Sequence, residues 1–225
     1  MPPRKLTRES VLDAAVVMAD GEGLGRLSMR RLAAELDAGT MTLYHYVRTK
    51  DELLALVIDE LMAELIVPVD EMPADWRTAV TVIANRSRQM LQQHSWVLDI
   101  SDDPNLGPNS VRHFDQSMQA VSSLDISLRD KLDIITAVDE YVFGYCQHMR
   151  TNFHEEVDHA ESQMQRYVGD LLSSGDYPTL SAMVDRYGME AMWTEVNSHA
   201  RDSTRFDRNL TRLLDGIEAD LAPRN

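Results

Sequence analysis

A chain of 225 residues has room for one large domain or two modest ones. Its 44% hydrophobic and 26% charged residues exclude a disordered polymer, and only ten glycines and eight prolines leave little material for the many turns of an all-β fold. A net charge of −15 excludes a protein that coats nucleic acid non-specifically or rests on an anionic membrane.

The charge is unevenly spread. Residues 1–50 hold eight Lys/Arg and six Asp/Glu, a balance of +2, so the remaining 175 residues carry −17. A weakly basic head precedes an acidic body. The single cysteine, Cys146, allows no internal disulfide and no multi-cysteine zinc site, which suits a reducing cytosol. MPPRKLTRES holds no apolar signal core, and no stretch approaches 18 apolar residues. The expectation is a cytoplasmic chain with no membrane partner.

In chain order, the first predicted helix opens on Thr7 as N-cap with Glu9 in its first turn. Val11, Leu12, Ala15, Met18 and Ala19 recur at three- and four-residue spacing along one face. Gly21, Gly23 and Gly25 end it. A second helix spans 28–36, capped by Ser28, with Met29, Leu32, Ala33 and Leu36 as its stripe. After Asp37-Ala38-Gly39 a short third helix covers 40–47. Thr49 and Glu52 then form a capping-box pattern that opens a long helix carrying Leu53, Leu54, Val57, Leu61 and Leu65 and ending near Pro68. The stretch 67–73 (VPVDEMP) marks a domain boundary, giving a head at 1–66 and a body at 67–225.

The body reads as further helices at about 74–94 and 108–124, another from 128 through Tyr145, a short one after Pro178, and a last one at 203–221. The acidic stretch 150–176 is helical in part. No strand-like alternation of useful length occurs, so the expected fold class is all-α.

Three short helices, the last two joined by a tight turn, describe a helix-turn-helix unit. Its second helix must grip the domain by one narrow face and offer polar and aromatic groups to base edges on the other. At 100° per residue, Leu43 and Val47 lie about 40° apart and face inward. Met41 and His45 then point outward, flanked by Thr42 and Tyr44. No carboxylate occurs from Gly39 to Val47. Arg30, Arg31, Arg48 and Lys50 are placed for phosphate contacts that fix register.

At LTRESVLDAA and LSMRRLAAELDAGTMTLYHYVRTKDELL the chain resembles the TetR family of regulators. Thr42, Leu43, Tyr44 and Val47, followed by Lys50, carry the family pattern. FDRNLTRLLDGIEADLA, residues 206–222, looks like the terminal helix of tetracycline-repressor-type C-terminal domains. The resemblance implies an all-α homodimer whose heads read double-stranded operator DNA through Arg30, Thr40, Met41, Thr42, Tyr44, His45, Tyr46 and Lys50. It also implies a body with a small-molecule effector pocket and a four-helix dimer interface. Two departures stand out. Asp37 replaces the turn glycine, so either Asp37 is left-handed or the turn is shifted. Ile66, Ile83 and Ser101 stand where tetracycline repressors hold drug and magnesium with His, Asn and His, so that ligand does not transfer.

Candidate pocket residues are Met90, His94, Trp96, His113, Phe114, Met118, Tyr141, Tyr145, His148, Met149, Asn152 and Trp193, with Gln147 alongside. Taken singly, each reads first as core or interface packing, as Met and aromatic stripes at helical spacing usually are. The stripe Phe206, Leu210, Leu213, Leu214 and Ile217 is expected to pack with Ile134, Val138 and Tyr141 across a two-fold axis. The run His154-Glu155-Glu156-Val157-Asp158-His159 fails the zinc-protease pattern. Its histidines are five apart, about 140° around a helix, rather than four. A solvated acidic segment is the plainer account, with metal binding by His148, His154 or His159 left open. No cofactor, metal or catalytic motif is expected. The reading is a repressor released by an effector. An activator or architectural DNA binder without effector response, or an all-α enzyme or carrier with a helix-turn-helix head, remain the alternatives.

Overall fold

The computed structural model describes residues 6–100, 107–152 and 157–221, with side chains left undescribed at 151–162. Every regular element among the described residues is helical. The chain divides into two compact units, one of residues 1–147 and 213–225, the other of residues 148–212.

In the first unit, α1 (Arg8–Glu22) opens on a reciprocal cap. The Thr7 hydroxyl accepts from Ser10 N at 3.1 Å, and the Thr7 N–H donates to Ser10 Oγ at 3.0 Å. Its face of Val11, Leu12, Ala15, Met18 and Ala19 is buried, as the spacing requires. Gly23, at φ 79°, breaks the helix and leads into a 3-10 turn, Leu24–Arg26. The Ser28 hydroxyl caps α2 (Met29–Glu35).

Asp37 adopts φ 48°. Of the two possibilities for the missing turn glycine, the left-handed aspartate is the one realised, and the turn keeps its register. The third helix is shorter than expected: α3 is Thr40–Leu43. Mixed three- and four-residue hydrogen bonds nonetheless carry the coil to Val47, where the N–H still donates to the Leu43 carbonyl at 3.1 Å. Leu43 and Val47 are both fully buried.

Helix α4 (Lys50–Glu64) is capped by Thr49, whose hydroxyl accepts from Glu52 N at 3.0 Å. The reciprocal arm departs from the expected box, because the Glu52 carboxylate accepts from Arg48 N at 2.7 Å instead of from the cap residue. The N–H one residue earlier is the orphan donor that it satisfies.

Helices α5 (Trp76–Gln93) and α6 (Pro108–Ala120), and α7 (Leu128–Asn152) as far as Gln147, complete this unit with the end of α11 (Arg205–Leu221). Asp59 of α4 caps α6 from outside. Its Oδ1 accepts from Asn109 N at 2.9 Å, Ser110 N at 3.0 Å and Ser110 Oγ at 3.2 Å, satisfying orphan donors of the α6 first turn. The backbone at Gly107 must come close for this, since a Cβ there would lie 2.2 Å from the Asp59 Cγ. Gly107→Ala is therefore expected to displace the carboxylate and cost about 2 kcal/mol, the worth of a lost cap plus strain. Chemical denaturation checks this, and Asp59→Ala added to it should cost little more. A second lock holds α6 to the segment that follows α4. Gln116 donates to the Val67 carbonyl at 2.6 Å and accepts from Val67 N at 2.9 Å in a buried pair. Arg77 of α5 pairs with Asp215 and Glu218 of α11.

In the second unit, α8 (Val157–Leu172), α9 (Pro178–Tyr187) and α10 (Met189–Arg201) pack in sequence. The guanidinium of Arg205 lies 3.1 Å from the Met149 sulfur and donates to the His199 carbonyl. Phe206 and Leu210 are buried.

The sequence boundary at 67 does not separate the compact units. The first unit takes in the head together with α5 and α6, because α4 packs on α6 and α1 packs on the 3-10 turn Ser95–Asp99. The division falls inside α7 and α11, which are unbroken helices and carry no loop signal there.

Candidate nucleic-acid interface and the groups behind it

The outward surface of the head is set by the burial of Leu43 and Val47. With those two side chains inside, Met41 is left 76% exposed and Tyr44 41% exposed, and Thr42 and His45 are exposed beside them. Thr40 is half-buried at the start of α3, and Lys50 half-buried at the start of α4. Arg30 and Arg48 are exposed near this surface in sequence. The result is a surface without a carboxylate from residue 39 to 47, followed by Arg48 and Lys50. Such a face meets a groove lined by phosphates without repulsion.

Two residues with expected contacts there are otherwise engaged. The Tyr46 hydroxyl donates to the Leu6 carbonyl at 2.9 Å, tying the third helix to the start of α1. Arg31 forms a two-pronged ion pair with Glu22 at 2.8 and 2.7 Å and also donates to the Arg26 carbonyl. Arg30, by contrast, stays open to solvent on α2.

Behind the surface sits a polar node that periodicity does not disclose. Asp20, on α1, accepts from Trp96 Nε1 at 2.7 Å and meets His94 Nδ1 at 2.8 Å, both at Oδ1. A carboxylate only accepts, so Nδ1 carries a hydrogen in this contact. His94 Nε2 is buried without a hydrogen-bond partner among the described residues and lies 3.6 Å from Glu64 Oε1 of α4. His94 and Trp96 are 2% and 3% exposed. Both are pocket candidates by sequence, and their polar atoms turn instead toward α1. Asp20 gives no signal in the sequence because its partners lie 74 and 76 residues away.

The other pocket candidates scatter. Met90 is buried in α5, and the rings of Tyr141 and Tyr145 on α7 are tilted by 40° with centroids 6.3 Å apart. His113 is largely buried. Desolvation pushes its imidazole below the ordinary value, favouring the neutral form, and its Nδ1 has no partner among the described residues. Gln147 Oε1 is likewise buried and unpaired. Phe114 is 53% exposed, and Met118 lines an open groove with Asp115, Ile126 and Lys131. His148, Met149 and Trp193 belong to the second unit. His148 is exposed, while the Trp193 Nε1 is buried without a partner among the described residues. The Asn152 side chain, His154 and the His159 side chain lie outside the described residues, as does Ser101. Among the described residues no group of three His, Cys, Asp or Glu could hold a metal. Among them, too, no helix is long and apolar enough to cross a membrane. Burial holds the Cys146 thiol at about 11, so it is inert packing at neutral pH.

The stripes assigned to a dimer interface are mostly used up inside one chain. Ile134, Val138, Phe206, Leu210 and Leu214 are each at most 4% exposed in the single chain. Of the predicted α11 stripe, Leu213 and Ile217 keep half-exposed side chains on its flank. Helical periodicity identifies an apolar face but not which chain covers it.

Residues 11–57 match the bacterial regulatory proteins of the tetR family, and residues 68–221 match the tetracyclin repressor-like C-terminal domain. The HTH-type transcriptional repressor DrrR1 of Streptomyces coeruleorubidus is 31% identical over 99% of this chain and 81% of its own. An HTH-type transcriptional regulator of Saccharopolyspora erythraea is 28% identical over 95% of this chain and 85% of its own. The crystal structure of ActR from Streptomyces coelicolor in complex with actinorhodin superposes with a TM-score of 0.75. It covers 98% of this chain and all of that one at 26% identity.

Proposed function

Because the chain belongs to the TetR family of bacterial regulatory proteins, we propose that it is a repressor that binds a pseudo-palindromic operator as a homodimer and leaves it when a small-molecule effector binds. The observation that carries this reading is the exposed, carboxylate-free face of Met41, Thr42, Tyr44 and His45, held out by the buried Leu43 and Val47. Residues 1–66 act as the reading head and residues 67–225 as the effector-binding and dimerising body. Arg30, Thr40 and Lys50 join the face as DNA contacts. Tyr46 acts behind it, as a brace. The reading includes no catalytic step and no cofactor.

Two observations support the effector. ActR is seen with a bound small molecule on the same fold. In this chain, His113 Nδ1 and Gln147 Oε1 are buried polar atoms without partners among the described residues, a state that costs roughly 1–3 kcal/mol each. An occupant that hydrogen-bonds either atom recovers part of that cost, and it shifts the head only by its differential affinity for the two states. Screening small apolar and aromatic compounds by thermal shift, then testing the hits for release of a labelled duplex, tests this. Stabilising hits that leave DNA binding intact would contradict it.

Dimerisation is proposed through the half-exposed Leu213 and Ile217 of α11 with the exposed Phe143 of α7. Leu213→Glu is expected to give a helical monomer in sedimentation equilibrium. A dimer of unchanged mass would rule this face out.

A further inference from the structure

The composition of the reading face says how it discriminates bases. Base-specific contacts in the major groove are dominated by Arg or Lys on guanine and by Asn or Gln on adenine, each through two parallel hydrogen bonds. Residues 39–47 contain none of these four types. What the face does offer is one thioether, Met41, 76% exposed, with Thr42, Tyr44 and His45 beside it. Met41 has no packing role in the head, since Leu43 and Val47 fill the interior beneath it. It is flexible, polarizable and apolar, and the apolar feature in the major groove is the C5-methyl of thymine.

Resting on the operator-binding reading above, we infer that Met41 is a specificity-determining residue that reads thymine methyl groups, so that residues 39–47 contribute methyl contact and single hydrogen bonds to recognition of the half-site. The consequence is graded discrimination. Burial of one methyl is worth roughly a three- to fivefold change in affinity, against the ten- to hundredfold penalties of a lost bidentate pair. Arg30, Arg48 and Lys50 lie outside this run.

The test is selection of the full-length protein on a randomised duplex library, followed by replacement of single thymines with deoxyuridine in an enriched duplex. Deoxyuridine removes the methyl and nothing else. The inference expects at least one thymine per half-site whose replacement weakens wild-type binding roughly three- to fivefold. Met41→Ala should be indifferent to that replacement, and Met41→Leu should remain sensitive. If deoxyuridine is neutral throughout, or Met41→Ala keeps the wild-type sensitivity, the inference is overturned while operator binding stands. If no duplex is enriched, the operator-binding reading falls, and this inference with it.

Discussion

Replacing Tyr44 and Lys50 together with alanine is expected to weaken operator binding by about a thousandfold. Each subunit loses two contacts, so a dimer loses four, and about 1 kcal/mol for each gives that factor. The two residues contribute differently. Lys50 opens α4 beside its Thr49 cap, and its proposed role is a phosphate contact. Tyr44 sits on the outward face as the coil continues past α3. Lys50→Ala alone should therefore lower the slope of log affinity against log salt by about 2, counting both subunits, whereas Tyr44→Ala should leave it unchanged. Neither side chain is buried, so denaturation midpoints should stay within about 0.5 kcal/mol of wild type. Retention of affinity in the double variant would show that the face is not the reading surface.

The second large effect lies behind the head. Asp20→Ala removes the shared acceptor of His94 Nδ1–H and Trp96 Nε1–H, two donors on nearly fully buried side chains. Leaving both unpaired should cost about 2–4 kcal/mol, toward the lower figure because Asp20 itself is 31% exposed and water can enter. Asp20→Asn keeps one acceptor oxygen and should cost less. Because the node joins α1 of the head to the turn after α5, the alanine variant should also lose amide protection in α1 beyond its global loss. Equal stability of Asp20→Ala and wild type would mean that the two donors find other acceptors.

Local chemistry decides how much of this fold is legible in the chain. Thr7, Ser28 and Thr49 announce their helices because a cap is decided within three residues. Leu43 and Val47 announce the inward face of the reading coil because their spacing alone fixes it. Asp37 marks the strained turn, and its φ of 48° is the conformation that a glycine would otherwise serve.

Distance along the chain hides the rest. The Asp20 node, the Asp59 cap on α6 and the Gln116 lock on Val67 join residues roughly fifty to seventy-five positions apart, and nothing local marks either partner. Glu22 engages Arg31, a pairing that no helical spacing signals. The apolar stripes of α7 and α11 are legible as stripes. Their burial at Ile134, Val138, Phe206, Leu210 and Leu214 within one chain reflects packing that a helical wheel does not encode. The charge asymmetry is informative in a narrower sense than the total. The weakly basic head presents a carboxylate-free face, while the net acidity belongs to residues 51–225.

Operator recognition by paired heads can be measured by quantitative footprinting of the full-length protein on the DNA that flanks its own gene. Two protected half-sites are expected, their centres one helical turn, about 34–36 Å, or a multiple of it apart. Protection should be lost together at both sites in the Tyr44→Ala, Lys50→Ala variant. Uniform protection without half-sites, or half-sites that the variant protects equally well, would contradict recognition by paired heads.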